Sequence, residues 1–263
     1  MRPYLFHIGG LGVPAFFVMI VTGALLATFF GSYLAKREGS DPIAILDCGI
    51  IAVIAAVLGS RLFHILVESP VYYWKHPLRV FYFWQGGFVS IGAYIASISA
   101  CIIYLWKRRL NVWRYMDLLA LSVPIVIFFT RVGCLLVGCC YGKTTDFFIH
   151  LVFNNPDSTA GYQYLGVPLH ATQIYNMANA LVMWGVLLLV YRYRKFYGQI
   201  MASFFMYYAV TRFFIEFLRG DEDRGLWFDG ALSTGQIAMI FTFITGFGIW
   251  RYCQKTRIAE KSE

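Results

Sequence analysis

Seven long apolar segments constrain the fold of this chain more than any other feature of its sequence. Each can span about 30 Å of hydrocarbon as an α-helix, which satisfies its own backbone hydrogen bonds. We place them near residues 11–35, 44–67, 87–106, 115–138, 171–192, 198–218 and 233–252. Only 14% of the chain is charged, against about 25% in soluble domains. The sequence therefore predicts an all-α, polytopic integral membrane protein, with residues 1–263 forming a single transmembrane domain.

Clusters of lysine and arginine follow the first, third, fifth and seventh segments, beginning at Lys36, Lys107, Arg192 and Arg251. Because basic loops stay on the cytoplasmic side, this pattern predicts an extracytoplasmic N-terminus and a cytoplasmic C-terminus. The net charge of +8 is then a topology signal, and no nucleic-acid partner is expected. The first 35 residues lack a basic start with a short apolar core, so we expect a retained helix rather than a cleaved signal peptide.

The stretch RVGCLLVGCCYGK, from Arg131 to Lys143, places a positive charge at the end of an apolar run. A charge within a membrane costs on the order of 3 kcal/mol or more, so it is rarely present without a use. Glycines in GCCYGK indicate that the helix ends there and its backbone opens. A positive charge beside backbone N–H groups that are not hydrogen-bonded within a helix suits an anionic group such as a lipid phosphate. The alternative is an arginine satisfied by a neighbouring helix, with glycines for close packing.

The sixth segment carries four polar residues on one helical face, because they are spaced by four, four and three positions. They are Tyr208, Arg212, Glu216 and Arg219. One interpretation is an ion pair between Arg212 and Glu216 that lowers the cost of insertion. The other is a polar stripe facing a substrate cavity, with the carboxylate orienting a guanidinium toward a phosphate. The two interpretations are compatible.

Further polar residues are expected in the same outer leaflet. Arg61 ends the second segment, so that four arginines, with Arg131, Arg212 and Arg219, are predicted there. His170, Thr172 and Gln173 begin the fifth segment, where Thr172 is predicted to cap the helix.

Several function classes find no support in the sequence. There is no HExxH, paired-carboxylate or nucleophile-elbow pattern, which argues against protease, glycosidase and hydrolase activity. The six cysteines form no CxxC pair, so neither a disulfide framework nor a zinc site is indicated. A small transporter would need broken helices in repeated halves, and no internal repeat is visible.

Ordered motifs over nearly the whole chain resemble the prolipoprotein diacylglyceryl transferase family. They are LFHIGGLGVP, GSRLFHIL, WQGGFVSIGA, DLLALSVPIVIFFTRVGCLLVGCCYGK, LHATQIYN, RFFIEFLRGD and LSTGQI. The resemblance implies a seven-helix enzyme of the bacterial cytoplasmic (inner) membrane. It would transfer the diacylglyceryl group of phosphatidylglycerol to the lipobox cysteine of a preprolipoprotein, forming a thioether and glycerol phosphate. The implied partners are phosphatidylglycerol and the signal peptide that carries the lipobox, and no metal or organic cofactor is implied.

The resemblance also implies roles for individual residues. Arg131 and Arg212 match the arginines that hold the phosphate, Tyr208 and Glu216 match their neighbours, and Gly142 matches the signature glycine. Further candidates for binding the phospholipid are Arg61, Arg219, His170 and Gln173.

The chain departs from the family pattern at four positions. They are Phe16 in place of tyrosine, Ile91 in place of histidine or tyrosine, Cys134 in place of asparagine, and Cys139 in place of an acid. Isoleucine neither accepts a proton nor donates a hydrogen bond. The alternative function is therefore a divergent paralogue that binds phospholipid and acts on another acceptor, or has no catalytic activity.

A replacement for the missing proton acceptor is predicted among the histidines. His64 lies three residues after Arg61, on a similar helical face, where its imidazole could take the proton of the acceptor thiol. His170 is the second candidate. The alternative is that His64 is an interfacial residue that an aromatic side chain could replace.

Overall fold

The computed structural model describes residues 4–9, 11–82, 86–156, 158–220, 225–227 and 231–262. Gly10, Trp84, Gln85 and Asp221, which belong to the family-like motifs, lie outside the described residues. Helices predominate, with seven of 18 residues or more in the described part. They are α1 (Ala15–Arg37), α2 (Pro42–Phe63), α4 (Ser90–Lys107), α5 (Val112–Val137), α7 (Thr172–Tyr193), α8 (Gln199–Glu216) and α9 (Thr234–Ser262).

Shorter elements lie between these helices. A π-helical turn (His64–Glu68) continues α2, and α3 (Pro70–Lys75) and a 3₁₀ turn (Pro77–Phe81) follow it. Another short helix, α6, covers Thr159–Tyr164. Three antiparallel strand pairs complete the described elements: β1 (Tyr4–Ile8) with β2 (Leu11–Pro14), β3 (His150–Val152) with β4 (Pro168–His170), and β5 (Leu226–Trp227) with β6 (Leu232–Ser233).

The first helix begins four residues later than the sequence predicts. The segment Leu11–Pro14 is a strand that pairs with Tyr4–Ile8, with Leu11 opposite Ile8. The helix then starts directly after Pro14, whose fixed φ suits the residues that lead into a helix. The prediction that residues 11–14 are helical is therefore wrong, because their backbone hydrogen bonds are made within a hairpin.

The other six segments are confirmed as helices, and apart from the C-terminal end of α9 their ends differ from the predicted ones by a few residues. The described helices include five that are long and apolar enough to cross a membrane: Ala15–Arg37, Pro42–Glu68, Ser90–Lys107, Val112–Val137 and Thr172–Tyr193. The helix α9 continues to Ser262, beyond the expected end at residue 252. The total of seven spans and the orientation of the termini stay predictions.

The chain divides into two compact units, residues 1–30 with 117–263, and residues 31–116. In the unit of residues 31–116, α2 and α4 pack at two facing glycines. A Cβ atom added at Gly59 would lie 2.2 Å from the Cβ of Ala96 and 2.6 Å from the carbonyl oxygen of Gly92. The hydroxyl of Ser97 donates to the carbonyl of Ala52 along the same seam, at 2.8 Å. Small residues therefore allow the two helix backbones to approach closely.

The other unit contains α7, α8 and α9. The carboxylate of Asp117 accepts hydrogen bonds from the backbone nitrogens of Gly198, at 2.8 Å, and Met201, at 2.9 Å, at the start of α8. A buried carboxylate thus satisfies backbone donors that the helix leaves open. A Cβ atom at Gly246 of α9 would lie 3.1 Å from the carbonyl oxygen of Ala202, which shows how closely α8 and α9 pack. These contacts hold α8, the helix that carries Tyr208, Arg212 and Glu216, against its neighbours.

We predict that Gly59→Ala destabilises the protein, because the new methyl group overlaps the backbone of α4. Overpacking of this kind costs about 1–3 kcal/mol. Gly185→Ala is the matched control, because it lies inside α7 and its added Cβ would meet nothing within 4 Å, so that helix propensity should stabilise it slightly. Unfolding by SDS in mixed micelles measures both variants. Equal stability of the two variants would contradict the close approach of α2 and α4.

Candidate functional site

The helix α5 ends in a tight reversal at the GCCYGK sequence. The backbone nitrogens of Gly138 and Cys139 both donate to the carbonyl of Cys134, at 2.8 and 3.1 Å. Gly138 has a φ of +78° and Cys140 a φ of +58°. The left-handed conformation is uncommon outside glycine, so the surrounding contacts must hold Cys140 in place. We call residues 138–143 the cysteine loop.

Two side chains at the start of α7 hold the cysteine loop. The hydroxyl of Thr172 donates to the carbonyl of Cys140 at 2.5 Å, and the amide of Gln173 donates to the carbonyl of Cys139 at 2.8 Å. The predicted helix cap at Thr172 is wrong: Ala171 precedes the helix and makes no side-chain cap. The hydroxyl binds a carbonyl distant in sequence instead of the first turn of its own helix.

Gly142 lies where three segments of the chain meet. Its backbone nitrogen donates to the carbonyl of His170 at 3.1 Å, and the nitrogen of Lys143 donates to the carbonyl of Leu218 at 2.9 Å. A Cβ atom at Gly142 would lie 2.4 Å from the Cβ of His170 and 2.9 Å from the carbonyl oxygen of Leu218. Gly142 is therefore required for packing: no side chain fits there, and the close approach joins the cysteine loop to the end of α8.

Glu216 connects two arginines at this junction. Its Oε2 atom lies 2.6 Å from Nη2 of Arg212 and 3.6 Å from Nη1 of Arg219. Its Oε1 atom accepts a hydrogen bond from the hydroxyl of Ser233 at 3.3 Å. The side chains of Arg212 and Glu216 are 12% and 5% exposed. The predicted ion pair between Arg212 and Glu216 is confirmed, and Arg219 joins it from the following turn.

Ser233 and Gln236 support the carboxylate from the start of α9. The backbone nitrogen of Gln236 donates to the hydroxyl of Ser233 at 3.2 Å, and the nitrogen of Ser233 donates to Oε1 of Gln236 at 2.9 Å. This reciprocal pair is a capping box. No role was predicted for these two residues individually, although a serine followed three residues later by glutamine, in LSTGQI, is typical of such a cap.

One donor of Arg212 remains available for a ligand. Its Nη1 atom is buried and makes no hydrogen bond within the described part of the chain. A buried, unsatisfied donor on a charged group is costly, and a bound anion would remove that cost. Tyr208 lies one helical turn earlier, and its ring stacks on Phe204 with the centroids 5.8 Å apart.

Arg131 and Arg219 both act on the cysteine loop. The pKa of the Cys140 thiol is lowered, first by hydrogen bonds from the thiols of Cys134 and Cys139 and then by the positive charges of Arg131 and Arg219. Arg131 therefore belongs to the same neighbourhood as the end of α8, although it comes from α5. This unit brings together most of the predicted site residues: Arg131, Gly142, His170, Gln173, Arg212, Glu216 and Arg219.

The unit of residues 31–116 contains Arg61. Its side chain is buried, and its guanidinium donates to the carbonyls of five residues: Arg79, Val80, Tyr82, Gly86 and Gly87. These contacts favour a role in holding the loop after α3. The predicted role of Arg61 in phospholipid binding stays a prediction.

His64 and Arg61 both lie against Gly87. A Cβ atom at Gly87 would lie 2.6 Å from Nε2 of His64 and 2.9 Å from Nη1 of Arg61, which confirms that the two side chains share a face. The Nδ1 atom of His64 lies 2.7 Å from Oε2 of Glu68. A cavity of about 190 Å³ adjoins them. Glu68 was missed in the sequence analysis, although its spacing of four residues from His64 would have indicated the pair.

Two of the substituted motif positions can also be located. Phe16 lies in the first turn of α1, where its Cα atom is 3.1 Å from the Cβ position of Gly133. Ile91 is the second residue of α4 and is 36% exposed. The ring at residue 16 therefore packs on α5, while residue 91 has an accessible apolar side chain.

Comparison with known proteins gives a consistent result. The sequence model of the family described as prolipoprotein diacylglyceryl transferase matches residues 3–252. A phosphatidylglycerol–prolipoprotein diacylglyceryl transferase of Clostridium tetani is 31% identical over 250 residues, which cover 95% of this chain and 97% of that protein. The protein of the same name from Campylobacter hominis is 32% identical over 94% of this chain and 89% of its own length. The protein named phosphatidylglycerol–prolipoprotein diacylglyceryl transferase 2 from Clostridium perfringens is 33% identical over 94% of this chain and 93% of its own length.

We predict that Glu216→Gln destabilises the protein by on the order of 3–5 kcal/mol, because it leaves two largely enclosed guanidinium groups, 12% and 18% exposed, without their carboxylate. The control is Arg108→Gln, which breaks a half-exposed pair with Asp41, 3.5 Å long, and should cost below about 1 kcal/mol. SDS unfolding in mixed micelles measures both. If Glu216→Gln lowers the free energy of unfolding no more than the control does, the ion pair at Glu216 does not stabilise this unit.

Proposed function

Because this chain belongs to the prolipoprotein diacylglyceryl transferase family, we propose that it transfers the diacylglyceryl group of phosphatidylglycerol to the lipobox cysteine of preprolipoproteins. The acceptor sulfur forms a bond to the glycerol carbon of the diacylglyceryl group, the bond from that carbon to the phosphate oxygen breaks, and glycerol phosphate leaves. The thiol proton passes to a base. We place this reaction at the bacterial inner membrane, with the polar site in its outer half.

The buried Nη1 atom of Arg212 is the observation that carries this proposal. The other guanidinium nitrogen, Nη2, lies 2.6 Å from Oε2 of Glu216, so that the carboxylate holds this side of the group. The Nη1 atom of the planar guanidinium can then donate a charge-assisted hydrogen bond to a phosphate oxygen. A guanidinium fixed in this way stabilises the negative charge that grows on the leaving phosphate without reorganising during the reaction.

Arg131 and Arg219 complete the phosphate site in this proposal. Both act on Cys140, and Arg219 is held by Glu216 and by the pairing of residues 218–220 with the cysteine loop. Gln173 contributes an amide whose Oε1 atom is buried and accepts no hydrogen bond from the described residues. That oxygen could accept a hydrogen bond from a hydroxyl of the glycerol head group.

The acceptor thiol needs a proton acceptor, since its reference pKa is about 8.5. His64 is the proposed base. The carboxylate of Glu68 on Nδ1 holds the imidazole and fixes which nitrogen keeps its proton, leaving Nε2 to accept one. His170 is the competing candidate, and its Nδ1 atom lies 3.4 Å from the hydroxyl of Tyr175.

Complementation tests the proposed activity in cells. A bacterial strain depleted of its own transferase should grow when it expresses this chain, and its lipoproteins should carry the diacylglyceryl thioether by mass spectrometry. Failure to complement, by a chain that is folded and inserted in the membrane, would favour the divergent paralogue that binds phospholipid and acts on another acceptor.

We predict that Arg212→Ala and Arg212→Lys both lower turnover. Loss of one charge-assisted contact to the phosphate removes roughly 2–4 kcal/mol of transition-state stabilisation, about 30- to 1000-fold in rate. Arg212→Lys should also lower turnover, because a lysine ammonium cannot make the two parallel hydrogen bonds of a planar guanidinium. Arg192→Ala is the matched control, because Arg192 is an exposed arginine in the last turn of α7. Turnover is compared at equal expression, and near-normal turnover by Arg212→Ala would contradict the phosphate site.

We predict that His64→Phe lowers activity far more than His170→Phe, because phenylalanine keeps the ring and removes the proton acceptor. Raising the pH from 6 to 9 should partly restore the His64→Phe variant, since the acceptor thiol then ionises without a base. The pH profile of transfer to a lipobox peptide measures this. A His64→Phe variant as active as the parent across that range rules out His64 as the base.

A further inference from the structure

The cysteine loop and the end of α5 bring three thiols together. The Sγ atoms of Cys134, Cys139 and Cys140 all lie within 4.8 Å of one another. Cys134 is buried and the other two are partly exposed. The cluster could not be predicted from the sequence, because Cys134 meets the consecutive Cys139 and Cys140 only where the chain reverses at Gly138.

The position of these thiols is fixed by contacts from other elements. Thr172 and Gln173 bind the carbonyls of Cys140 and Cys139, and the backbone nitrogen of Cys139 donates to the carbonyl of Cys134. Cys140 is also held in the left-handed region. The cluster therefore belongs to an ordered part of the site, and its thiols do not depend on a flexible loop to meet.

The spacing of the sulfurs suits one metal ion. Three sulfurs bonded to a metal at about 2.3 Å lie about 4 Å from one another. Sulfurs that are already within 4.8 Å reach this arrangement by small side-chain rotations. Neighbouring Cα atoms across a trans peptide are about 3.8 Å apart, below the usual disulfide range of about 4.4–6.8 Å, which disfavours a bond between the thiols of Cys139 and Cys140.

We propose that Cys134, Cys139 and Cys140 form a three-sulfur binding site for a soft, thiophilic metal ion of the class of Cu(I). The inference does not depend on the proposed transferase activity. Thiolates are soft ligands that select Cu(I), and three of them complete its coordination, whereas structural Zn(II) sites use four ligands. Binding converts three thiols to thiolates, releases three protons, and gives a complex with two negative charges.

The surroundings favour this negative complex. The backbone nitrogens of Lys143 and Gly220 donate to the carbonyls of Leu218 at 2.9 Å and Tyr141 at 3.2 Å, which places Arg219 next to the cysteine loop. Arg131 lies three residues before Cys134 in α5, and nearby positive charges favour the thiolate form. The same arginines belong to the proposed phosphate site. A bound metal would therefore place a second anionic group beside the position of the lipid phosphate.

The test is a titration of the purified, reduced full chain in detergent, without oxygen, with Cu(I) against the chelator bathocuproine disulfonate. We expect one Cu(I) per chain, with three sulfurs at about 2.3 Å in X-ray absorption spectra. The variant Cys134→Ser/Cys139→Ser/Cys140→Ser should lose more than about 100-fold in affinity. The matched control is Cys48→Ser/Cys101→Ser/Cys253→Ser, which removes the three remaining thiols and should bind as the parent does.

Three results would overturn the proposal. The first is unchanged Cu(I) affinity in the folded cluster variant. The second is displacement of Cu(I) by Zn(II) at equal free concentration. The third is a mass two hydrogens below that of the reduced chain before any reductant is added, which would identify a disulfide. If the triple variant does not fold, the single variant Cys140→Ser serves instead, and it should keep only two sulfurs around the metal.

Discussion

The ion pair between Arg212 and Glu216 is the interaction on which the candidate site depends. Each charge would be costly alone in an apolar helix, and together they lower that cost. The same carboxylate holds Arg219 and accepts a hydrogen bond from Ser233, so that it ties the end of α8 to the start of α9. The ion pair leaves Nη1 of Arg212 without a hydrogen bond from the described residues. In the proposed function, the same carboxylate therefore stabilises the helix end and positions the donor for the lipid phosphate.

Most of the helical framework could be predicted from the sequence, because a membrane allows few alternatives for a long apolar segment. The hairpin at the N-terminus could not, since the apolar strand Leu11–Pro14 runs directly into α1 and has the same composition. Pairing with Tyr4–Ile8 makes this segment a strand instead of the first turn of the helix. The π-helical turn after Phe63 could not be predicted either, because an apolar segment has the same residue pattern with and without such a turn.

The candidate site was predictable where its residues are close in sequence. The spacing of Arg212, Glu216 and Arg219 predicted a shared face, and the structure shows the ion pairs. Contacts between distant segments were not predictable. Thr172 was expected to cap its own helix but binds the carbonyl of Cys140, and the cysteines form a cluster only through the reversal after α5. In each case a local pattern was overridden by a partner from another element.

Direct reconstitution tests the central claim most closely. The purified chain is mixed with phosphatidylglycerol that carries a labelled head group and with a peptide that contains a lipobox cysteine. The account predicts that the peptide gains the mass of one diacylglyceryl group on its sulfur while labelled glycerol phosphate is released in equal amount. Binding of the phospholipid without a thioether on the peptide and without release of glycerol phosphate would contradict it.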